Sequence, residues 1–167
     1  MTTPLERIPS EGVSGSEGRA LVVQDSPIQA EQLKRLLEGR GYAVTIVANG
    51  RQALAAARED PPAVIISDIA MPEIDGYTLC RRIKSDEALK DIPVVLVTAL
   101  SSPQDILRAL ECGADSLIRR PYDEHYLLAR LRYIQANREL RGTEKVQMGV
   151  EIDIAGRRHF IDRKSVV

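Results

Sequence analysis

Ala20-Leu21-Val22-Val23-Gln24-Asp25-Ser26-Pro27-Ile28-Gln29 is the stretch whose reading decides the fold. Its apolar start contains two β-branched valines, and its end carries an N-cap serine, a proline at the first helical position and a capping-box glutamine. A short strand thus runs straight into a capped helix. The same unit recurs along the chain, with nearly continuous apolar strands expected at 20–24, 42–47, 63–67, 93–98 and 115–118. After the first helix, with Leu33, Leu36 and Leu37, a second starts at Asn49 and Gln52, carries Ala53, Leu54 and Ala57, and ends at Asp60-Pro61-Pro62. Residues 77–85 space Leu79 and Ile83 one turn apart. Ser102-Pro103-Gln104-Asp105 caps a fourth helix, expected to turn Ile106, Leu107 and Leu110 inward and to stop at Gly113. Asp123 caps a fifth, with Leu127, Leu131 and Ile134 along one stripe and Gly142 after it. Five strand-helix units specify an α/β fold, a doubly wound five-stranded parallel sheet, because parallel neighbours need right-handed crossovers.

The 167 residues accommodate one domain of about 150 residues plus an extension. With 44% apolar and 28% charged residues the chain can build a core, which excludes global disorder. Its 23 basic and 24 acidic side chains leave a formal charge of −1, so no nucleic acid and no membrane surface is expected as partner. No apolar run approaches the roughly 20 residues of a membrane span. Residues 1–18 are rich in Gly, Pro and Ser and lack a signal core, so they read as a flexible leader and the chain as cytoplasmic. Cys80 and Cys112 form neither a disulfide framework nor a metal motif and are expected to be small core or half-buried residues, while His125 and His159 read as helix-surface and hairpin residues.

In such sheets ligands bind beyond the carboxyl ends of the strands. Those ends carry Gln24-Asp25, Asp68, Thr98 and Arg119-Arg120. Carboxylates with water suit Mg²⁺, which takes one or two protein carboxylates in an octahedron of oxygens. A guanidinium and a hydroxyl on the other side suit a phosphoryl group.

The stretches Leu21-Val22-Val23-Gln24-Asp25-Ser26-Pro27, Ser67-Asp68-Ile69-Ala70-Met71-Pro72 with Asp75-Gly76, Val97-Thr98-Ala99 and Arg120-Pro121 together resemble the receiver domain of two-component response regulators. The resemblance covers residues 19 to about 138 and implies the flavodoxin-like strand order 2-1-3-4-5. It implies that Asp68 accepts a phosphoryl group from a histidine kinase or phosphotransfer protein. It further implies that Asp25, Asp68 and the backbone carbonyl of Ala70 hold Mg²⁺, and that Thr98 and Arg120 contact the new phosphate. Where the family usually has two adjacent acids, Gln24 stands first, so a weaker metal site is expected, with Gln24 able to hold a metal-bound water through its amide oxygen. Arg120 replaces the usual lysine and either clamps phosphate bidentately or pairs with Asp68. Leu117 takes the place of the family's aromatic switch residue.

The expected organisation is a leader (1–18), a receiver domain (19–142) and an extension (143–167). In the extension Val150, Ile152 and Ile154, a turn at Ala155-Gly156, then Arg158 and Phe160 read as a β-hairpin. The resemblance extends to receivers at the N-terminus of hybrid histidine kinases, here with no output domain expected after it. The expected function is a phosphorelay receiver, not an enzyme, that switches protein contacts, including a homodimer through the fourth helix, fifth strand and fifth helix. The alternative is a phosphorylation-independent pseudo-receiver acting as a binding or dimerisation module. An aspartyl-nucleophile hydrolase is disfavoured by Ala70, where its second acid would stand. A dinucleotide enzyme is disfavoured because Gln24-Asp25-Ser26-Pro27 is no glycine fingerprint.

Overall fold

The computed structural model describes residues 18–99 and 102–140, with side chains to residue 137, and the backbone of 149–154 and 157–162. Strands β1 (Arg19–Val23), β2 (Ala43–Val47), β3 (Val64–Asp68), β4 (Val94–Thr98) and β5 (Ser116–Arg119) pair in parallel in the order β2-β1-β3-β4-β5. Between and after them come α1 (Pro27–Glu38), α2 (Gly50–Glu59), α3 (Gly76–Ser85), α4 (Pro103–Cys112) and α5 (Glu124–Leu140). The doubly wound parallel sheet is the one expected from the strand-helix repeat, and its order 2-1-3-4-5 is the flavodoxin-like one that the receiver resemblance implied.

Strand side chains alternate between faces, so the sheet carries two separate cores. Leu21, Val23, Ile65, Leu96 and Leu117 pack with α2, α3 and α4, whereas Ala20, Val22, Val64, Ile66, Val95, Val97 and Ile118 pack with α1 and α5. The caps follow the sequence: Ser26, Asn49, Asp75 and Ser102 each accept a first-turn backbone N–H, and Ser102 with Asp105 completes a capping box. The Asp123 carboxylate accepts from the His125 N–H at the start of α5.

On α4 one expectation is corrected. Leu110 is buried with Ala109 and Cys112 and Ile106 is partly buried, but Leu107 is 43% exposed. Residues 106, 107 and 110 share one helix face, but packing against α3 centres the buried face toward 109 and 112, which leaves 107 at its outer edge. Cys80 and Cys112 are core residues as expected, the Cys80 thiol donating to the Cys112 carbonyl at 3.3 Å. Hydrogen bonding to Cys112, with burial, pushes the Cys80 thiol well up, which keeps it protonated and unreactive.

Backbone strands β6 (Gly149–Ile154) and β7 (Arg157–Asp162) follow, β6 parallel beside β5 at Ser116 and Leu117 and β7 antiparallel beside β6. Residues 1–17, the expected turn at 155–156 and the side chains of both strands, His159 included, lie outside the described residues. Among the described residues no helix is long and apolar enough to cross a membrane.

Candidate functional site

β3 is buried throughout and delivers Asp68 to the carboxyl end of the sheet, where the residue is 6% exposed. The chain then turns sharply: the Gly76 N–H donates to the Ile69 carbonyl at 2.9 Å, tying the start of α3 beneath the strand end. A Cβ at residue 76 would lie 2.5 Å from the Asp68 carbonyl oxygen and 2.8 Å from the Ile69 Cα, so only glycine permits this approach. The turn aims two backbone N–H groups, from Ile69 and Ala70, at the Asp68 carboxylate, with Ile69 N to Oδ1 at 2.9 Å.

The cation comes from the end of β5. The Arg120 N–H donates to the Thr98 carbonyl at 2.6 Å, which fixes the two residues side by side beyond β4 and β5. The Arg120 guanidinium then reaches back, one terminal nitrogen 3.1 Å from Asp68 Oδ1 and the other donating to the Gln29 amide oxygen on α1. Thr98 itself is 2% exposed. The peptide between Arg120 and Pro121 is cis.

Burial is the dominant influence on Asp68 and raises its pKa above the ordinary carboxylate value of 3.8. The Arg120 charge and the two backbone N–H groups oppose it, and the negative charge of Asp25 adds to it. Asp25 is exposed and lies within electrostatic reach of Asp68. Gln24 is buried, and its amide oxygen accepts from the Ser26 N–H at 3.1 Å, closing the turn between β1 and α1.

Asp68, Arg120 and Gln24 therefore share one rim with Gln29. They line a groove of about 910 Å³ that runs between α1 and the loop after β5, past Leu33, Pro121 and Tyr122. Asp25 and Thr98 do not line it, although their neighbours Gln24, Val97 and Ala99 do. Asp25 and Asp68 bring two carboxylates within electrostatic reach of each other, and oxygen ligands of that kind suit Mg²⁺. Among the described residues no cluster of three or more His, Cys, Asp or Glu side chains gathers at one point. Leu117, at the place of the family's aromatic switch, is buried in the core.

Sequence reasoning missed two contributors. Gln29 was expected to fold back onto the N-cap amide as a capping-box residue, but Gln24 takes that amide and Gln29 turns to Arg120. The only sequence signal was its place in the first turn of α1, at the rim of the sheet. Gly76 was visible only as part of a motif, and its steric role needed the fold.

The response regulator receiver domain family model matches residues 20–132. The chain is 35% identical over 137 residues to the DNA-binding response regulator MtrA of Mycolicibacterium smegmatis, covering 81% of this chain and 59% of that protein's length. Among solved structures, the signal receiver domain of a signal transduction histidine kinase from Syntrophus aciditrophicus superposes with a TM-score of 0.69 at 44% identity. The match covers 78% of this chain and 98% of that one. The receiver domain of a sensor histidine kinase from Pseudomonas aeruginosa PAO1, solved with magnesium coordinated in its active site cleft, superposes with a TM-score of 0.67 at 28% identity over 71% of this chain and 98% of that one. With a matched model over most of its length and its strand-end residues in the matching order, this chain belongs to the response regulator receiver domain family.

Proposed function

We propose that the chain is a cytoplasmic two-component phosphorelay receiver that takes a phosphoryl group on Asp68 from a histidine kinase or phosphotransfer protein. The observation that carries this reading is the buried Asp68 carboxylate, held by Ile69 N–H and Arg120 at the mouth of an open groove. A carboxylate oxygen of Asp68 attacks phosphorus as the bond from phosphorus to the donor's imidazole nitrogen breaks, and the imidazole leaves with that electron pair. Asp68 becomes an acyl phosphate. Asp25, Asp68 and the Ala70 carbonyl would hold Mg²⁺, with Gln24 holding a water of its shell, and the ion supplies positive charge against the phosphoryl oxygens. Arg120, already in place at Asp68, would donate to those oxygens as they arrive, and Thr98 would offer its hydroxyl. The module signals through altered protein contacts and is not an enzyme in its own right.

The rival pseudo-receiver reading takes the same contact as a permanent pair, since a planar guanidinium suits a lasting hold on the Asp68 carboxylate. Incubation with acetyl phosphate or a phosphohistidine donor and Mg²⁺ separates the two readings. Acid-stable, hydroxylamine-labile label that disappears completely in Asp68→Asn supports the phosphorelay reading, and wild-type protein that takes no label overturns it. The homodimer through α4, β5 and α5 belongs to this proposal and requires β6 to give up its place beside β5. Light scattering that finds the same monomer with and without a beryllium fluoride phosphate mimic would exclude it.

A further inference from the structure

We infer that Gln29 is a positioning residue for Arg120, holding the guanidinium over Asp68 before any phosphoryl group arrives. The inference deepens the proposed function, since it rests on Asp68 as the phosphoryl acceptor. Arginine at this place differs from a lysine in having two terminal nitrogens that diverge in one plane. One meets Asp68 Oδ1 at 3.1 Å and the other the Gln29 amide oxygen. Two partners in different directions fix both the place and the plane of the fork, whereas a single partner leaves a long side chain to rotate.

Gln29 is itself held for this use. Pro27 starts α1, and the Ser26 hydroxyl accepts from the Gln29 N–H at 3.4 Å, so the backbone beneath Gln29 is set by the cap. A glutamine there ordinarily bends back to the N-cap amide. Gln24 occupies that amide at 3.1 Å, so the Gln29 side chain reaches across the rim instead. The substitution of Gln24 for an acid thus does two things. It removes one charge from the rim, and it supplies the turn contact that releases Gln29 toward Arg120.

Phosphoryl transfer gains most from donors already in place, because charge then develops on the phosphoryl oxygens without reorganisation. Loss of the Gln29 contact should therefore leave the fold intact and slow the chemistry through Arg120 alone. Gln29 is exposed, so its replacement makes no cavity.

The full chain is compared as wild type, Gln29→Ala, Gln29→Glu, Arg120→Ala and the Gln29→Ala/Arg120→Ala double variant. ¹⁵N NMR of the guanidinium groups, without metal or phosphate, should show slowly rotating, resolved Arg120 nitrogens in wild type. These signals collapse in Gln29→Ala and persist in Gln29→Glu, whose carboxylate oxygen has the same reach. Labelling by acetyl phosphate with Mg²⁺ should slow about fivefold in Gln29→Ala, the scale of freeing one side chain, and no further when the change is added to Arg120→Ala. Unchanged Arg120 signals in Gln29→Ala, or equal slowing in the Arg120→Ala background, overturn the inference. If even wild type takes no label, the phosphorelay reading falls, and the guanidinium spectra still decide whether Gln29 positions Arg120.

Discussion

Two carboxylates meet cations at opposite ends of the same sheet. Asp68 meets Arg120 at 3.1 Å beyond the carboxyl end of β3, and Asp115 meets Lys84 at 3.0 Å before the start of β5. Burial does not separate them, because the side-chain exposures are 7% and 23% for the first pair and 8% and 18% for the second. Saturation does. All three Lys84 donors go to protein oxygens, those of Lys90, Ile92 and Asp115, and the Asp115 carboxylate also accepts from the Val94 N–H. That pair ties α3 to the entrances of β4 and β5 with every ammonium donor committed to protein. The Asp68 pair faces a groove, has a second negative charge near it, and is held by a cation that a phosphoryl group can recruit. Hence a closed pair builds the fold and an open pair builds a site, although both are made of the same groups.

Breaking the closed pair is the sharpest way to test that division for stability. Lys84→Met takes the cation away from the buried Asp115 carboxylate, and should cost about 3 kcal/mol. Asp115→Asn keeps an acceptor for Val94 N–H but loses the charge-assisted contact to Lys84, so about 2 kcal/mol is expected. Urea denaturation with an unchanged m-value measures both. Neither change should alter label incorporation at Asp68 once the protein is folded. Loss of labelling in a folded Lys84→Met protein would show the two ends of the sheet to be coupled and the division wrong.

The two ends also differ in what the chain reveals before folding. Strand ends are legible because β3 and β4 are short runs of apolar residues buried on both faces, and Asp68 and Thr98 mark where each run stops. Helix starts are legible because Ser26-Pro27, Asn49 and Ser102-Pro103 use local cap chemistry. Partners distant in sequence are not. Arg120 and Gln29 are 91 residues apart, and Lys84 and Asp115 are 31 apart, so only the crossovers bring them together. The local rule even misdirected Gln29, because a capping box assumes no competitor for the N-cap amide, and Gln24 is that competitor. Leu107 escaped for a related reason: it lies on the same face of α4 as Ile106 and Leu110, but contact with α3 rotates the buried face toward Ala109 and Cys112.

The smallest effect, and the one most specific to the open pair, lies in the pH dependence of stability around Asp68. Its pKa is raised in the fold, with burial outweighing Arg120 and the backbone N–H groups. The folded protein therefore holds this proton to higher pH than the unfolded chain does. Across the window that opens at the unfolded value near 3.8, the native state binds more protons, so this group's contribution to stability is present at low pH and declines as pH rises. Asp68→Asn removes that decline. Denaturation midpoints of the variant and wild type should accordingly draw level at the acid end, and the variant should lead by a small, constant margin at neutral pH. Millimolar Mg²⁺ should reverse the order, because an ion that binds only the folded wild type stabilises it by mass action and has one fewer carboxylate to hold in the variant. Asp115→Asn should show neither behaviour: its deficit is set by lost contacts and persists with or without the ion. A variant order at Asp68 that ignores both pH and Mg²⁺ would mean that this carboxylate, like Asp115, is only a structural acceptor.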